Sequence, residues 1–280
     1  MRFEELTLAD RDAIELRRVA GKHKASSHAF TSLFLWAKEK GYTVAFCQNA
    51  FVVKEGERYF FPCGDTPSVL TALGEILKHE PNAVFCYARE EDLALVREVY
   101  GDAVRIEHDA ASREYLYDRS EQIEMKGKKF TYQRAKCNKA RRLGEIVSRP
   151  LTKDNAEDAK AITEIWASRR EGDADTRVTA RALAYREALG LIGNILYLDG
   201  EPIGFDLGAM IAPDTLDNHI AKTLRDDVDA LMKLLWYEAL PESVTVINRE
   251  EDLGIRGLMI HKQDAQPTGF NETYTLYFGV

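Results

Sequence analysis

Residues 194–210 read NILYLDGEPIGFDLGAM and carry the clearest structural signal in the chain. Two apolar runs, 195–198 and 203–207, lie on either side of a turn that begins at Asp199-Gly200. Aspartate followed by glycine between two such runs favours a tight turn, because both residues tolerate a left-handed backbone. The stretch therefore predicts a β-hairpin in the second half of the chain.

The segments after this hairpin continue to alternate between strand and helix patterns. In order, they are a strand at 216–222, a helix at 228–240, a strand at 244–247, a helix at 253–261 and a closing strand at 274–278. Antiparallel strands followed by alternating helices and strands predict an α+β fold, in which a mixed, mainly antiparallel sheet is flanked by helices.

The first half of the chain has a similar order of elements. Helical patterns near 10–20 and 29–40 lead into a strand-turn-strand unit, and further helices and short strands follow. Pro150 interrupts the chain before a new helix pattern begins. We therefore predict two similar domains, at 1–150 and 151–280.

Composition narrows the class of protein. The 280 residues are 45% hydrophobic and 30% charged, which excludes disordered and fibrous proteins. No run reaches the roughly 18 apolar residues of a membrane span, and the first residues lack the apolar core of a signal peptide. The expectation is a cytoplasmic protein without a transmembrane segment.

The four cysteines show no metal-ligand spacing, so we expect free thiols and no metal site.

Charge is distributed unevenly along the chain. The net charge is -8, but residues 126–149 contain nine basic side chains against one acidic side chain, Glu145. This segment is +8, so the rest of the chain is -16 (the difference between -8 and +8). Such a run is either a solvated helix face or a binding surface for an anionic ligand, such as a phosphate, a nucleotide or RNA.

Two further stretches resemble a known bacterial family. Tyr115-Leu116-Tyr117-Asp118 is followed by Gly127-Lys128-Lys129-Phe130, and residues 246–258 read VINREEDLGIRGL. Together they are similar to proteins related to the C-terminal domain of phosphatidylglycerol lysyltransferase. The resemblance implies two tandem GNAT-like domains and an acyl- or aminoacyl-transferase. It also implies an amine or hydroxyl acceptor, and acyl-CoA or aminoacyl-tRNA as the donor, with no tightly bound cofactor.

The second stretch supplies the main candidate site. Glu250, Glu251 and Asp252 bring three carboxylates together beside Asn248 and Arg249, just after a predicted strand. One carboxylate could act as a base or hold a cationic amine, with Asn248 and Arg249 binding substrate. The alternative is that Asp252 only caps a helix that begins at Leu253.

Other candidates for proton transfer lie elsewhere in the second half. Tyr277, in the predicted closing strand, could protonate a leaving group or could simply pack, and the same holds for Tyr274. His219 could act as a base or could be a structural histidine.

Donor binding has candidates in both halves. Lys128, Lys129 and Arg134 could attract the phosphates of a donor or a tRNA. The turn at 222–229, which corresponds to the CoA site of GNAT proteins, holds three aspartates and no glycine. Lys222 and Arg225 could compensate only in part for this missing phosphate cradle. The alternative function is therefore a ligand-binding or regulatory protein without catalysis.

Overall fold

The structure, a computed structural model, describes residues 1–169 and 174–279. Its helices are α1 (Arg11–Ala20), α2 (Phe30–Lys40), α3 (Thr66–His79), α4 (Glu90–Tyr100), α5 (Arg119–Glu124), α6 (Thr131–Ala140), α7 (Ala156–Ala167), α8 (Ala174–Ala184), α9 (Arg186–Leu189), α10 (Asp229–Ala239) and α11 (Arg256–Asp264). Its strands are β1 (Glu4–Glu5), β2 (Thr43–Cys47), β3 (Ala50–Glu55), β4 (Arg58–Phe60), β5 (Cys63–Gly64), β6 (Val84–Ala88), β7 (Val104–His108), β8 (Glu114–Asp118), β9 (Ile146–Pro150), β10 (Ile192–Leu198), β11 (Glu201–Ala212), β12 (Thr215–Thr223), β13 (Val246–Asn248), β14 (Gly269–Asn271) and β15 (Tyr274–Phe278). Within the described ranges, no helix combines the length and the apolar character needed to cross a bilayer.

The chain forms two compact units that are interleaved in sequence. The first unit comprises residues 1–114, 251–254 and 271–279, and the second comprises 115–169, 174–250 and 255–270. The units are thus divided elsewhere than at Pro150. Strand β9 pairs along its length with β10, from Ile146 opposite Leu198 to Pro150 opposite Asn194, and this pairing keeps the segment before Pro150 in the second unit.

In the first unit, the sheet has the strand order β1-β2-β3-β4-β6-β15-β7, and β5 pairs with β3. Helix α3 starts at a side-chain cap, because the Asp65 carboxylate accepts a hydrogen bond from the Ser68 N–H at 2.9 Å. Its apolar face, including Leu73, joins Phe85 of β6 and Leu276 of β15 in the core. The last strand, β15, was expected to close the second sheet. It pairs instead with β6 and β7, a long-range partnership that a local strand pattern does not specify.

In the second unit, the strand order is β14-β8-β13-β12-β11-β10-β9. The predicted hairpin is present as β10 and β11, and Asp199 and Gly200 both have positive φ, at 52° and 87°. Two consecutive positive φ values are typical of the type I′ turn that joins twisted strands. Helix α10 contributes Leu231 and Met232 to the core of this unit.

Strand β12 has two irregularities in its pairing, and both lie next to the site described below. Its parallel pairing with β13 covers only Thr215–Asp217, although β12 continues to Thr223. On its other side, Leu207 lies opposite Ile220 and Ala209 lies opposite Asp217, so that a single residue of β11 faces both Asn218 and His219. Two residues opposite one is the pattern of a β-bulge, which changes the direction of the side chains around it.

Candidate functional site

A buried ion-pair network joins β11 to the first turns of α10. Asp206, on β11, is fully buried, and Asn218 Nδ2 lies 3.5 Å from its Oδ1. Lys233 Nζ lies 2.5 Å from Asp229 Oδ1 and 3.6 Å from Asp206 Oδ1. The spacing of Asp229 and Lys233 by four residues puts both side chains on one face of α10. One ammonium group therefore serves two carboxylates.

Arg249 and His261 extend this network to the edge of the unit. His261 Nε2, on α11, lies 3.1 Å from Arg249 Nη2 and 3.3 Å from Asp229 Oδ2. The Arg249 guanidinium also lies 5.3 Å from the centre of the Tyr117 ring, a cation–π contact. Arg249 is 9% exposed, whereas the side chain of His261 is 40% exposed and forms the outer end of the network.

The network borders a small polar cavity. Its volume is about 20 Å³, enough for one water-sized group, and it lies inside a lining formed by Gln122, Met125, Gln133, Asp229, Ala230, Lys233, Leu234, Tyr237, Arg249, His261 and Ala265. The Tyr237 hydroxyl is buried and has no hydrogen-bond partner among the described residues. The Tyr237 hydroxyl is therefore a buried polar atom of the cavity lining that remains available to a bound group.

The two carboxylates of the network differ in acidity. Burial raises the pKa of Asp206 to about 6, against the opposing charge of Lys233. Burial also acts to raise the pKa of Asp229, but Lys233 and His261 outweigh it and hold this pKa well below its usual value. Burial raises the pKa of Tyr237 far above its ordinary value, so this hydroxyl keeps its proton. The site thus combines the ionised carboxylate of Asp229, the carboxyl group of Asp206 with a pKa of about 6, and the neutral hydroxyl of Tyr237.

Of this network only Arg249 was among the sequence-based candidates; Asp206, Asp229, Lys233, Tyr237 and His261 were not. Asp206 lies within the apolar run 203–207, where a lone carboxylate is unusual, and Asp229 and Lys233 have the spacing of a helical ion pair. Those local signals were present, but the contacts with Arg249 and His261 depend on pairings between distant segments.

A second cluster surrounds His219. Its Nδ1 lies 2.9 Å from Glu250 Oε1 and 3.4 Å from Asp217 Oδ2, and the side chains of His219 and Asp217 are 3% and 0% exposed. Their ligand atoms all lie within 4.8 Å of one another, so this donor set could also hold a divalent metal.

The backbone around Glu250 fixes the position of its carboxylate. Glu250 has a left-handed φ of 57°. Its N–H donates to Asn248 Oδ1 at 2.8 Å, and its carbonyl accepts from Lys262 Nζ at 3.0 Å. Asn248 is fully buried and stabilises this turn through that hydrogen bond. Substrate binding by Asn248 and Arg249 stays a prediction.

The other predicted acids belong to the first unit. Asp252 is 4% exposed, and its Oδ1 accepts a hydrogen bond from the Gly254 N–H at 2.8 Å. Helix α11 begins only at Arg256, after Ile255 as its N-cap, so Asp252 does not cap it. Glu251 also lies in the first unit. Tyr277 lies there as well, on β15, and the Arg105 guanidinium is 4.1 Å from the centre of its ring.

The basic candidates differ in their contacts. Lys129 Nζ is paired with Glu121 Oε2 at 2.6 Å, and Arg134 donates to the carbonyls of Met125 and Gly127, whereas Lys128 is exposed. A pocket of about 470 Å³ lies beside α6 and is lined by Tyr132, Ala135, Lys136, Lys139, Asp226 and Asp227. Lys136 and Lys139 thus place part of the basic segment 126–149 at a concave surface.

The two cations of the expected CoA turn are engaged within the protein. Lys222 is 5% exposed, its Nζ lies 2.5 Å from Asp175 Oδ2, and it stacks 3.9 Å above the centre of the Trp166 ring. Arg225 makes two hydrogen bonds of 3.0 Å to the Asp227 carboxylate. Neither contact resembles a cradle prepared for a phosphate.

Comparison with known proteins agrees with the resemblance seen in the sequence. The model of a family described as "Phosphatidylglycerol lysyltransferase, C-terminal" matches residues 18–277. A conserved protein of unknown function from Bacteroides thetaiotaomicron is 27% identical with a TM-score of 0.90, and the match covers 99% of each chain. No curated protein sequence matches the chain.

Two further solved structures share the fold at low identity. L-PGS from Bacillus licheniformis is 16% identical, with a TM-score of 0.61 over 88% of this chain and 90% of that chain. FemX is 11% identical, with a TM-score of 0.57 over 99% of this chain and 97% of that chain. The predicted α+β architecture, with two mixed sheets flanked by helices, is confirmed.

Proposed function

Because the chain belongs to the phosphatidylglycerol lysyltransferase C-terminal family, we propose that it is an acyl- or aminoacyl-transferase whose reacting groups meet in the second unit. The transferred acyl group would pass from an activated ester to an amine or hydroxyl acceptor. Such a reaction needs a positioned nucleophile, a proton acceptor and a donor for the charge that develops on the carbonyl oxygen.

The observation that carries this proposal is the polar cavity beside α10. Its size suits a single oxygen atom or ammonium group, and the unpartnered Tyr237 hydroxyl supplies a neutral donor to a carbonyl oxygen. Lys233 and Arg249 balance the charges of Asp206 and Asp229, so the network has no net charge that would repel a neutral carbonyl group. The carbonyl oxygen of an activated ester matches the cavity in size.

The contacts around the expected CoA turn favour an aminoacyl donor over acyl-CoA. The turn has no glycine, and its two cations already bind Asp175 and Asp227. The pocket of about 470 Å³ beside α6 has the size of ordinary ligand pockets. Its lining contains Lys136 and Lys139 together with Asp226 and Asp227, and the Asp227 carboxylate is already paired with Arg225. We propose that this pocket receives the nucleotide end of the donor.

A donor screen tests the proposal. Purified protein is mixed with radiolabelled lysyl-tRNA, alanyl-tRNA or acetyl-CoA, together with phosphatidylglycerol vesicles or a small polyamine as acceptor. We expect label to move from an aminoacyl-tRNA to one acceptor, and not from acetyl-CoA. The control is uncharged tRNA mixed with free labelled amino acid. If none of the donors gives transfer above this control, the protein is not a transferase of the proposed kind.

The expected CoA turn lacks glycine, and its two cations are already paired within the protein. Both features also support a second candidate function, a ligand-binding protein without catalysis. Under this alternative, a ligand would bind without turnover. A ligand at one hundred times its dissociation constant stabilises the folded state by about 2.7 kcal/mol, which a thermal shift detects. Stabilisation by uncharged tRNA or CoA, with no transfer in the donor screen, would favour this second candidate.

A further inference from the structure

We propose that His219, held by Asp217 and Glu250, is the proton-transfer group of the second unit. The inference rests on the proposed transferase function for the identity of the reaction. It assigns a base that neither the family match nor the cavity beside α10 provides.

The first argument concerns the tautomer of the imidazole. Nδ1 lies 2.9 Å from Glu250 Oε1 and 3.4 Å from Asp217 Oδ2, and ionised carboxylates only accept hydrogen bonds. The Nδ1 atom must therefore carry the ring proton. In the neutral ring, Nε2 then has the lone pair, as in a catalytic histidine oriented by a carboxylate.

The second argument concerns the surroundings of Nε2. This atom is buried and has no hydrogen-bond partner among the described residues. A basic nitrogen shielded from water and left without a donor can accept the proton of a bound hydroxyl or amine. The two carboxylates on the other side of the ring would stabilise the imidazolium that forms.

The third argument compares proton transfer with the competing role of these side chains, which is to bind a metal. Coordination through Nδ1 would move the ring proton to Nε2. A metal-bound histidine almost always donates its other N–H to an acceptor, and the described residues offer none to Nε2. Proton transfer fits the geometry better than coordination.

The proposed step balances without a cofactor. Nε2 takes the proton of the acceptor while the acceptor oxygen or nitrogen bonds to the carbonyl carbon of the acyl ester. The ester C–O bond then breaks, and the imidazolium returns the proton to the leaving oxygen. Asp217 and Glu250 are positioning residues in this scheme, because they act through His219.

The tautomer can be measured independently of any activity. In protein labelled with ¹⁵N-histidine, a long-range ¹H–¹⁵N correlation spectrum above pH 8 identifies which nitrogen carries the proton, and His219→Gln assigns the signal. We expect the proton on Nδ1. A proton on Nε2 overturns the inference, and so does stoichiometric binding of Zn²⁺ that is lost in His219→Gln.

Kinetics on the donor identified by the screen test the catalytic role. For His219→Gln we expect a loss of roughly 100- to 10,000-fold in kcat with KM within about threefold of the wild type. Glu250→Gln should also lower kcat at unchanged KM, because the imidazolium loses its countercharge. His79→Gln, an exposed histidine of the first unit, is the matched control. An unchanged kcat in a folded His219→Gln variant contradicts the inference.

The two proposals fail in different ways. A wild-type protein that transfers nothing in the donor screen overturns the transferase function, and the spectrum still decides the tautomer of His219. A wild-type protein that transfers label while His219→Gln remains fully active overturns only the role of His219.

Discussion

At the scale of single residues, position in the fold decides what a charge does. Lys222 and Arg225 lie three residues apart and were both expected to bind the phosphates of a cofactor. Lys222 is buried between Asp175 and the Trp166 ring, whereas Arg225 pairs with Asp227 on an exposed turn. The sequence predicts their charge, but only the packing of α7 and α8 against β12 separates their roles.

This difference predicts unequal effects on stability. Lys222→Ala should lower the free energy of unfolding by about 2–4 kcal/mol, because it removes a buried aliphatic chain and leaves the Trp166 ring without its cation. Arg225→Ala should leave the free energy of unfolding nearly unchanged, since exposed ion pairs contribute little to stability. Urea unfolding of both variants measures this difference. Equal losses would show that Lys222 is not a packed residue.

His28 predicts a pH dependence for the first unit. Burial lowers its pKa to about 4, while the Phe61 carbonyl, 2.9 Å from Nε2, opposes the shift. Between pH 6.5 and 4, His28 is therefore protonated in the unfolded chain but not in the folded chain. The free energy of unfolding consequently falls as the pH falls. The loss for this group is about 3 kcal/mol by pH 4.

The measurement compares wild type with His28→Gln, which keeps a donor for the Phe61 carbonyl. The free energy of unfolding between pH 7 and pH 4 should fall less steeply in the variant than in the wild type, and His23 remains in both as a common background. Parallel curves for the two proteins would contradict the assignment of this pH dependence to His28.

At the scale of elements, local patterns predicted the hairpin β10–β11 and the helix α10, whereas the bulge in β12 was not predicted. The bulge depends on Gly208, whose absent side chain lets β11 approach β12. A Cβ atom at this position would lie 2.2 Å from the Asp217 carbonyl oxygen and 3.2 Å from the Trp236 ring. A glycine within a strand pattern, as in IGFDLG at 203–208, indicates that another backbone segment approaches closely. The sequence does not identify which strand that segment belongs to.

Gly208→Ala should therefore lower the free energy of unfolding by at least about 2 kcal/mol, because backbone must move to admit the methyl group. Gly74→Ala is the matched control. It lies in α3 with no atom within 4 Å of the added Cβ, and it should raise stability by about 0.5–1 kcal/mol. Thermal unfolding of both variants provides the test. A Gly208→Ala protein as stable as wild type would mean that the strands are not in contact at the bulge.

At the scale of the whole molecule, the fold class was predictable and the strand partnerships were not. Alternating strand and helix patterns were sufficient for an α+β architecture. Strand β8 joins β13 in the second unit, and β15 lies between β6 and β7 in the first, although each was assigned by its position in the chain to the other half. Such exchanges depend on contacts between segments far apart in sequence, which local periodicity does not record.

The candidate site was predictable only in part, because it too depends on contacts between segments far apart in sequence. The segment 248–250 carries Arg249 and Glu250, and the sequence marked it through the family resemblance. The other side chains of the site come from three further elements, and no sequence motif connects them. They are Asp206 on β11, Asp229 and Tyr237 on α10, and His261 on α11. Their convergence is a property of the folded second unit.

The central claim is that the cavity beside α10 holds the reacting end of the donor, and Tyr237→Phe tests it most directly. The change removes only a buried hydroxyl that has no partner, so folding should be preserved while its hydrogen bond to the carbonyl oxygen is lost. The measurement is the single-turnover transfer rate of Tyr237→Phe, beside Tyr185→Phe as an exposed tyrosine control that lines neither pocket. We predict a loss of at least about tenfold for Tyr237→Phe and a wild-type rate for Tyr185→Phe; a wild-type rate in both would contradict the account.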